Sequence, residues 1–244
     1  MTGRSKNQTD GEPAPPSRRG RGRPPRADGR EELLKAGLLA MHAQGYNATG
    51  VAEIVERASA PKGTFYNHFE SKEAFALLVV DRFFERVFSL FEARMQDPAG
   101  TPRARLRGYF EDRAAFFEAN GCQRGCLLGN FGLEMSDQSE IIRARLQAHF
   151  DTWTARMATC IEAAQRAGEV RAEAEPGDLA QFILSSWEGA LLSMRIQKST
   201  APLHAFLRFA FDGVLGAQRP EDHAARSRAA AAPGAPGSPQ SHET

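Results

Sequence analysis

The sequence predicts an all-α protein, and three observations carry that prediction. Apolar residues recur at three- and four-residue spacing through most of residues 29 to 217. Nearly every such stretch is bounded by Pro, Gly or a Ser/Thr cap, and none shows the strict alternation of a half-buried strand. At 244 residues the chain has length for one large helical domain or two smaller ones.

Taken in order, Leu34, Leu38 and Met41 with Gly45 as a stop give a first helix over about residues 29 to 44. Thr49 serves as N-cap of a second helix that carries Val51, Ile54 and Val55 inward and ends near Ala58. A very short helix follows Pro61. Ser71 caps a long one in which Phe75, Val79, Phe83, Val87, Phe91 and Met95 recur every four residues, until Asp97-Pro98-Ala99-Gly100 breaks it. Cys126 opens a short apolar helix after Gly125. Further helices are expected over about 102–118, 138–167, 176–197 and 202–215. Residues 1–28 and 218–244, rich in Gly, Pro, Ser, Arg or Ala, hold too little apolar surface to offset ordering entropy and are predicted to be disordered.

Composition narrows the function classes. The chain is 41% hydrophobic and 25% charged, with no apolar run near the roughly 18 residues of a membrane span. The polar, Arg/Pro-rich start predicts a cytoplasmic protein without a secretory signal. Three cysteines make no disulfide framework. Net charge is only +1, but residues 1–30 hold eight Lys or Arg against three acids, a net of +5. Such a basic arm on a near-neutral body points to a polyanionic partner.

Residues 49–75 are the informative stretch: a short helix, a tight break and another very short helix. A helix that reads DNA needs small or polar side chains and free N–H groups at its start, where phosphates and base edges approach. Pro61-Lys62-Gly63-Thr64 supplies them. Pro61 suits a first helical turn, Lys62 offers charge, Gly63 permits close approach and Thr64 brings a hydroxyl. Phe65 and Phe69 anchor the helix inward, Tyr66, Asn67 and His68 form its polar face, and Lys72 opens the next helix.

The run from Pro61 to Glu73 closely resembles the DNA-reading signature of the tetracycline-repressor (TetR) family, and the resemblance extends over roughly residues 29 to 217. It implies a three-helix DNA-binding domain over 29–75 and a larger helical domain for effector binding and dimerisation over 76–217. It further implies a homodimer on a pseudo-palindromic double-stranded operator, released when a small molecule binds. Carried over by position, Thr49, Lys62, Gly63, Thr64, Tyr66, His68 and Lys72 become the expected DNA contacts. Upstream, Arg18-Arg-Gly-Arg-Gly-Arg-Pro-Pro25 resembles an AT-hook, in which Arg21 and Arg23 would enter a narrow minor groove. The plainer reading is a basic tail that adds salt-dependent affinity.

Gly121-Cys-Gln-Arg-Gly-Cys126 precedes the short apolar helix. A thiol at a helix N-terminus near Arg124 is expected to have a stabilised thiolate. Two cysteines without a nearby His do not make a zinc site, and no metal or cofactor is expected. This stretch and Trp187-Glu-Gly-Ala190 resemble the branch of the family that responds to small electrophiles and related acids, with Cys126 at the sensing position. Where some members of that branch carry a Lys, Arg195 stands here, suited to an anion rather than to a covalent link. Tyr109, Phe116, Asn130, Glu134, Trp153, Trp187, Glu188 and Arg195 are expected to line the pocket. The apolar faces of the last two helices, Leu179, Phe182, Ile183, Trp187, Ala190, Leu191 and Met194 with Leu203, Phe206, Leu207, Ala210, Phe211 and Val214, are divided between the domain's own core and a two-fold interface. Two rivals remain at this level: a cysteine-dependent enzyme pairing Cys126 with His149, and an architectural DNA-binder working through the basic arm without an effector.

Overall fold

The computed structural model describes residues 27–61 and 63–216, and among them it contains helices and turns but no strand. Helices α1 (Ala27–Gln44), α2 (Val51–Arg57) and α3 (Thr64–His68) form a head on the first turns of α4 (Lys72–Met95). The body is α5 (Pro102–Ala119), α6 (Leu127–Met135), α7 (Glu140–Arg166), α8 (Pro176–Gln197) and α9 (Ala201–Arg208). Phe209–Val214 extends α9 as a π-helix. The helix expected over 202–215 is therefore split, and its end is tied down by Arg103 of α5, which donates to the carbonyls of Phe211 and Leu215.

Side-chain caps start three of these helices. Ser71, Thr101 and Ser139 accept from the N–H groups of Ala74 (3.0 Å), Ala104 (3.3 Å) and Ile142 (3.2 Å). Each satisfies an amide that would otherwise lack a partner in the first turn. Thr49 does not cap α2 as expected: Gly50 holds that position. Gly45 turns the chain through a left-handed φ of +91°, and the Thr49 hydroxyl donates back to its carbonyl (2.7 Å).

The head is built on an aromatic knot. Phe65 and Phe75 are fully buried, with ring centroids 5.0 Å apart, and Phe69 packs 4.7 Å from Phe75. Burial of one such ring stabilises the fold by about 1.5–3 kcal/mol. Because α4 runs unbroken from this knot into the body, the boundary expected at residues 75/76 falls inside a helix. Along α4 the apolar stripe is buried at Phe75, Val79, Phe91 and Met95, whereas Phe83 and Val87 between them are only half-buried. There the helix faces a cavity.

Candidate nucleic-acid interface and effector chamber

The outer face of α3 follows from its anchors. Phe65 and Phe69, one helical turn apart, are held inward, which turns Tyr66 and Asn67 to solvent. Tyr66 is 66% exposed, its ring edge-on to Phe65 at 5.2 Å, so its hydroxyl end stands clear of the head. Gly63 is exposed and Thr64 and His68 are half-buried beside it. Pro61 precedes the helix rather than entering its first turn, and its carbonyl accepts from the Thr64 N–H (2.9 Å). The Lys72 ammonium lies 4.2 Å over the Tyr46 ring, and the loss of water there lowers its pKa. Thr49 cannot meet DNA through its side chain, because it is completely buried and spent on Gly45. Lys62, Arg21 and Arg23 lie outside the described residues.

A cavity of about 450 Å³ opens where the head meets the body. The body contributes Phe83 and Val87 from α4, Tyr109, Phe116 and Phe117 from α5, Trp153 from α7, and Trp187, Glu188 and Leu191 from α8. The head contributes Leu38, Leu39 and His42 of α1, a wall the sequence reading did not anticipate. Its one signal was Leu39, an apolar residue outside the helix's inward stripe and 55% exposed. Arg86, Arg113 and Arg124 also face the chamber, and none of them makes a salt bridge among the described residues. Arg113 instead stacks its guanidinium 4.3 Å over Phe116.

Of the residues expected in the pocket, Tyr109, Phe116, Cys126, Trp153, Trp187 and Glu188 come together. Asn130 and Arg195 do not join them: they bond to each other (3.2 Å) in a second cleft of about 430 Å³. Arg195 lies two helical turns beyond Glu188, about 10 Å further along α8, past the chamber's end. Cys126 and Glu188 line both spaces and stand between them.

The chain reaches Cys126 through a contorted turn. Gly121, Cys122, Arg124 and Gly125 have φ of +68°, +54°, +69° and +66°. Left-handed backbone is free for glycine but strained for Cys122 and Arg124. The carbonyls it turns outward are held, Gly125 by the Nε2–H of His42 (2.9 Å) and Arg124 by the Asn130 amide (2.8 Å). Burial lowers the pKa of His42, and the bond to Gly125 offsets that only in part.

Cys126 is the N-cap of α6, yet it is not the stabilised thiolate expected there. Burial pushes its thiol well above the usual range and the Glu188 carboxylate adds to the shift; the N–H groups of Gly129 and Leu128 offset it only in part. Arg124 is not among the groups that shift it. The thiol donates a hydrogen bond to the Glu188 carboxylate, which burial pushes up to about 7. Gly129 makes this approach possible, since a Cβ there would collide with Glu188 Oε2. The other carboxylate oxygen, Oε1, and Trp153 Nε1 are sealed from water with no hydrogen-bond partner. Cys122 and Cys160 are buried elsewhere. His149 bonds to Asp81 (2.8 Å) and stacks on Phe84, so the Cys126–His149 pair is not assembled. Among the described residues no cluster of His, Cys, Asp and Glu is arranged to hold a metal ion.

Glu134, another expected pocket residue, does different work at the far end of α6. Its carboxylate accepts from the backbone N–H groups of Tyr46 (2.8 Å) and Asn47 (2.7 Å) in the α1–α2 turn. Gly45 leaves room for it, because a Cβ there would press on the same carboxylate. Eight residue steps along the helix thus separate a thiol in the chamber wall from a clamp on the head, a span of about 12 Å.

The second face of α8 stays open to solvent. Phe182, Leu192 and Ile196 are exposed, with Ser185 and Gly189 between them. Their positions alternate three and four residues apart, the spacing of a helix-to-helix seam. Most of the stripe expected to be shared with an interface (Ile183, Trp187, Leu191, Met194, Leu203, Phe206, Leu207, Ala210 and Phe211) is consumed by the body's own core. Among the described residues no helix is long and apolar enough to cross a membrane.

Two family models match the chain: bacterial regulatory proteins of the tetR family over residues 33–79, and the tetracyclin repressor-like C-terminal domain over residues 102–210. The HTH-type transcriptional repressor DhaR of Mycobacterium sp. (strain GP1) is 38% identical over 186 residues, covering 76% of this chain and 92% of DhaR. The transcriptional regulator AcuR of Cereibacter sphaeroides is 35% identical over 204 residues, covering 82% and 93%. The crystal structure of reduced Escherichia coli NemR superposes with a TM-score of 0.72 at 28% identity, over 78% of this chain and 98% of that one.

Proposed function

The chain belongs to the TetR family of bacterial transcriptional regulators, and on that footing we propose that it is a homodimeric repressor released from its operator when a small electrophile or acid occupies the chamber beside Cys126. One observation carries the reading: the chamber wall and the DNA-reading head share α1, and α6 links the thiol to the head's first turn. An occupant that displaces α6 or α1 alters the head's pose directly. Only a differential affinity of a few kcal/mol between the two poses is needed for release.

In this reading Gly63, Thr64, Tyr66 and His68 meet the major groove, with Lys62 and Lys72 at phosphates. The basic arm, with Arg21 and Arg23, adds affinity that weakens with salt. The open seam of α8, from Phe182 to Ile196, pairs with a second copy and so covers the cleft of Asn130 and Arg195. That pairing sets two heads on successive major grooves. The role of anion partner, expected for Arg195, passes to Arg113 with Arg86 and Arg124, which face the chamber without acidic partners. Protection mapping on DNA flanking the gene tests this: a two-fold footprint should form and be lost on adding an unsaturated carbonyl compound or its acid, and Cys126→Ser should blunt the response to the former. A footprint that ignores every such compound would sink the release mechanism.

A further inference from the structure

Burial sets a conflict for a sensing thiol in this chamber. A sensing thiol must react, yet Cys126 is buried and held in its neutral form, the less nucleophilic one. The groups around it supply a way out. Its thiol donates to the Glu188 carboxylate, Gly129 is bare so that the two can meet, and Glu188 Oε1 is sealed and without a partner in a residue that lines the chamber. The N–H groups of Leu128 and Gly129 stand where charge would develop on sulfur, without closing a cap hydrogen bond in the resting state.

We propose that Cys126 and Glu188 form a thiol–carboxylate pair that adds the thiol across uncharged α,β-unsaturated carbonyl compounds, with Glu188 as the proton acceptor. This rests on the reading of Cys126 as the sensor and deepens it. As the sulfur attacks the β-carbon, an S–C bond forms and the S–H proton passes to Glu188. The C=C π pair moves onto the α-carbon and carbonyl oxygen, and Glu188 then returns the proton to the α-carbon. Nothing is oxidised and no group leaves. The unpartnered Trp153 Nε1–H is a donor in the same chamber suited to a carbonyl oxygen. A carboxylate base with a pKa near neutrality suits such a transfer better than one left at its ordinary value.

The chamber and cleft on either side of the pair are lined by His42 of α1, Arg86 of α4, Tyr109 and Arg113 of α5, Arg124 of the preceding loop, and Arg195 of α8. None of these is an anionic base. Burial keeps Tyr109 protonated and His42 is spent on Gly125.

The test is alkylation of the full-length protein by N-ethylmaleimide, followed on the tryptic peptide that begins after Arg124 and so contains Cys126 but not Cys122. In the parent the rate should rise with a midpoint near pH 7 as Glu188 ionises, and climb again only where the thiol itself ionises. Glu188→Gln should lose the first rise and react about 10- to 100-fold more slowly at pH 7.5. Glu188→Asp should recover part of it. Equal rates in the parent and Glu188→Gln, or a parent profile without the lower rise, overturn the proposal; the profile alone decides should the variant not fold. Operator release by the same reagent in Cys126→Ser separates the two layers. If release persists there, the sensor reading fails, whereas Cys126-dependent release with Glu188-independent alkylation overturns the proton acceptor only.

Discussion

At the scale of single residues, burial decides which groups can act. Glu188 is the plainest case. Its carboxyl is raised from an ordinary 4.5 to about 7, so the folded state binds the proton more tightly than the unfolded chain does. The resulting stabilisation is complete below pH 4.5 and is lost as pH rises through about 7, a span worth at most about 3 kcal/mol. Glu188→Gln should therefore melt close to the parent below about pH 4.5, pull ahead as pH rises to about 7, and hold that lead up to pH 8.5. Thermal melts across that range check it, and a constant difference would show that Glu188 titrates in the fold as it does in water. The upward shift of the thiol was not legible in the sequence, because position at a helix N-terminus argues for the anion and only packing shows the stronger opposing effect of burial. Thr49 misled in the same way: a hydroxyl before a helix reads as a cap, and nothing local shows it turned back onto Gly45.

At the scale of elements, α6 is short but reaches from the chamber wall to the α1–α2 turn. Its apolar run and Cys126 start were readable from residues alone, as were the caps at Ser71 and the bounds of α8. Its role as a link was not, since the Glu134 bonds to Tyr46 and Asn47 join residues almost ninety positions apart. Glu134→Gln keeps one acceptor and loses the charge, while Glu134→Ala leaves both amides to water or to nothing. The alanine variant should cost about 1–3 kcal/mol of stability. It should also bind operator with a response to effector reduced several-fold, the glutamine variant lying between. Titration of fluorescent operator DNA with and without effector measures this. An unchanged effector response in folded Glu134→Ala would mean that the signal travels through α1 alone.

For the whole molecule, the all-helical architecture was legible because periodicity and punctuation agree along the chain. The division of apolar faces between core and surface was not, because one helix carries two stripes and sequence cannot say which is covered at home. The seam of Phe182, Leu192 and Ile196 is the one left uncovered. Ile196→Glu, at a side chain 73% exposed, should leave the monomer's melting temperature nearly unchanged. It should nevertheless shift sedimentation toward the monomer and weaken operator binding by a factor of ten or more, since each half-site would then be bound alone. Sedimentation velocity reads the first effect and operator titration the second. A dimer that survives the substitution would place the two-fold axis elsewhere.

The wall that α1 lends to the chamber has a consequence for how such a protein can change. Leu38, Leu39 and His42 belong at once to the helix that supports the α3 head and to the chamber wall. In the proposed release mechanism, sensor and reader are thus not interchangeable cassettes. A chimaera carrying a relative's head would inherit part of that relative's ligand preference, and drift in the preferred ligand would be constrained by the need to keep the operator.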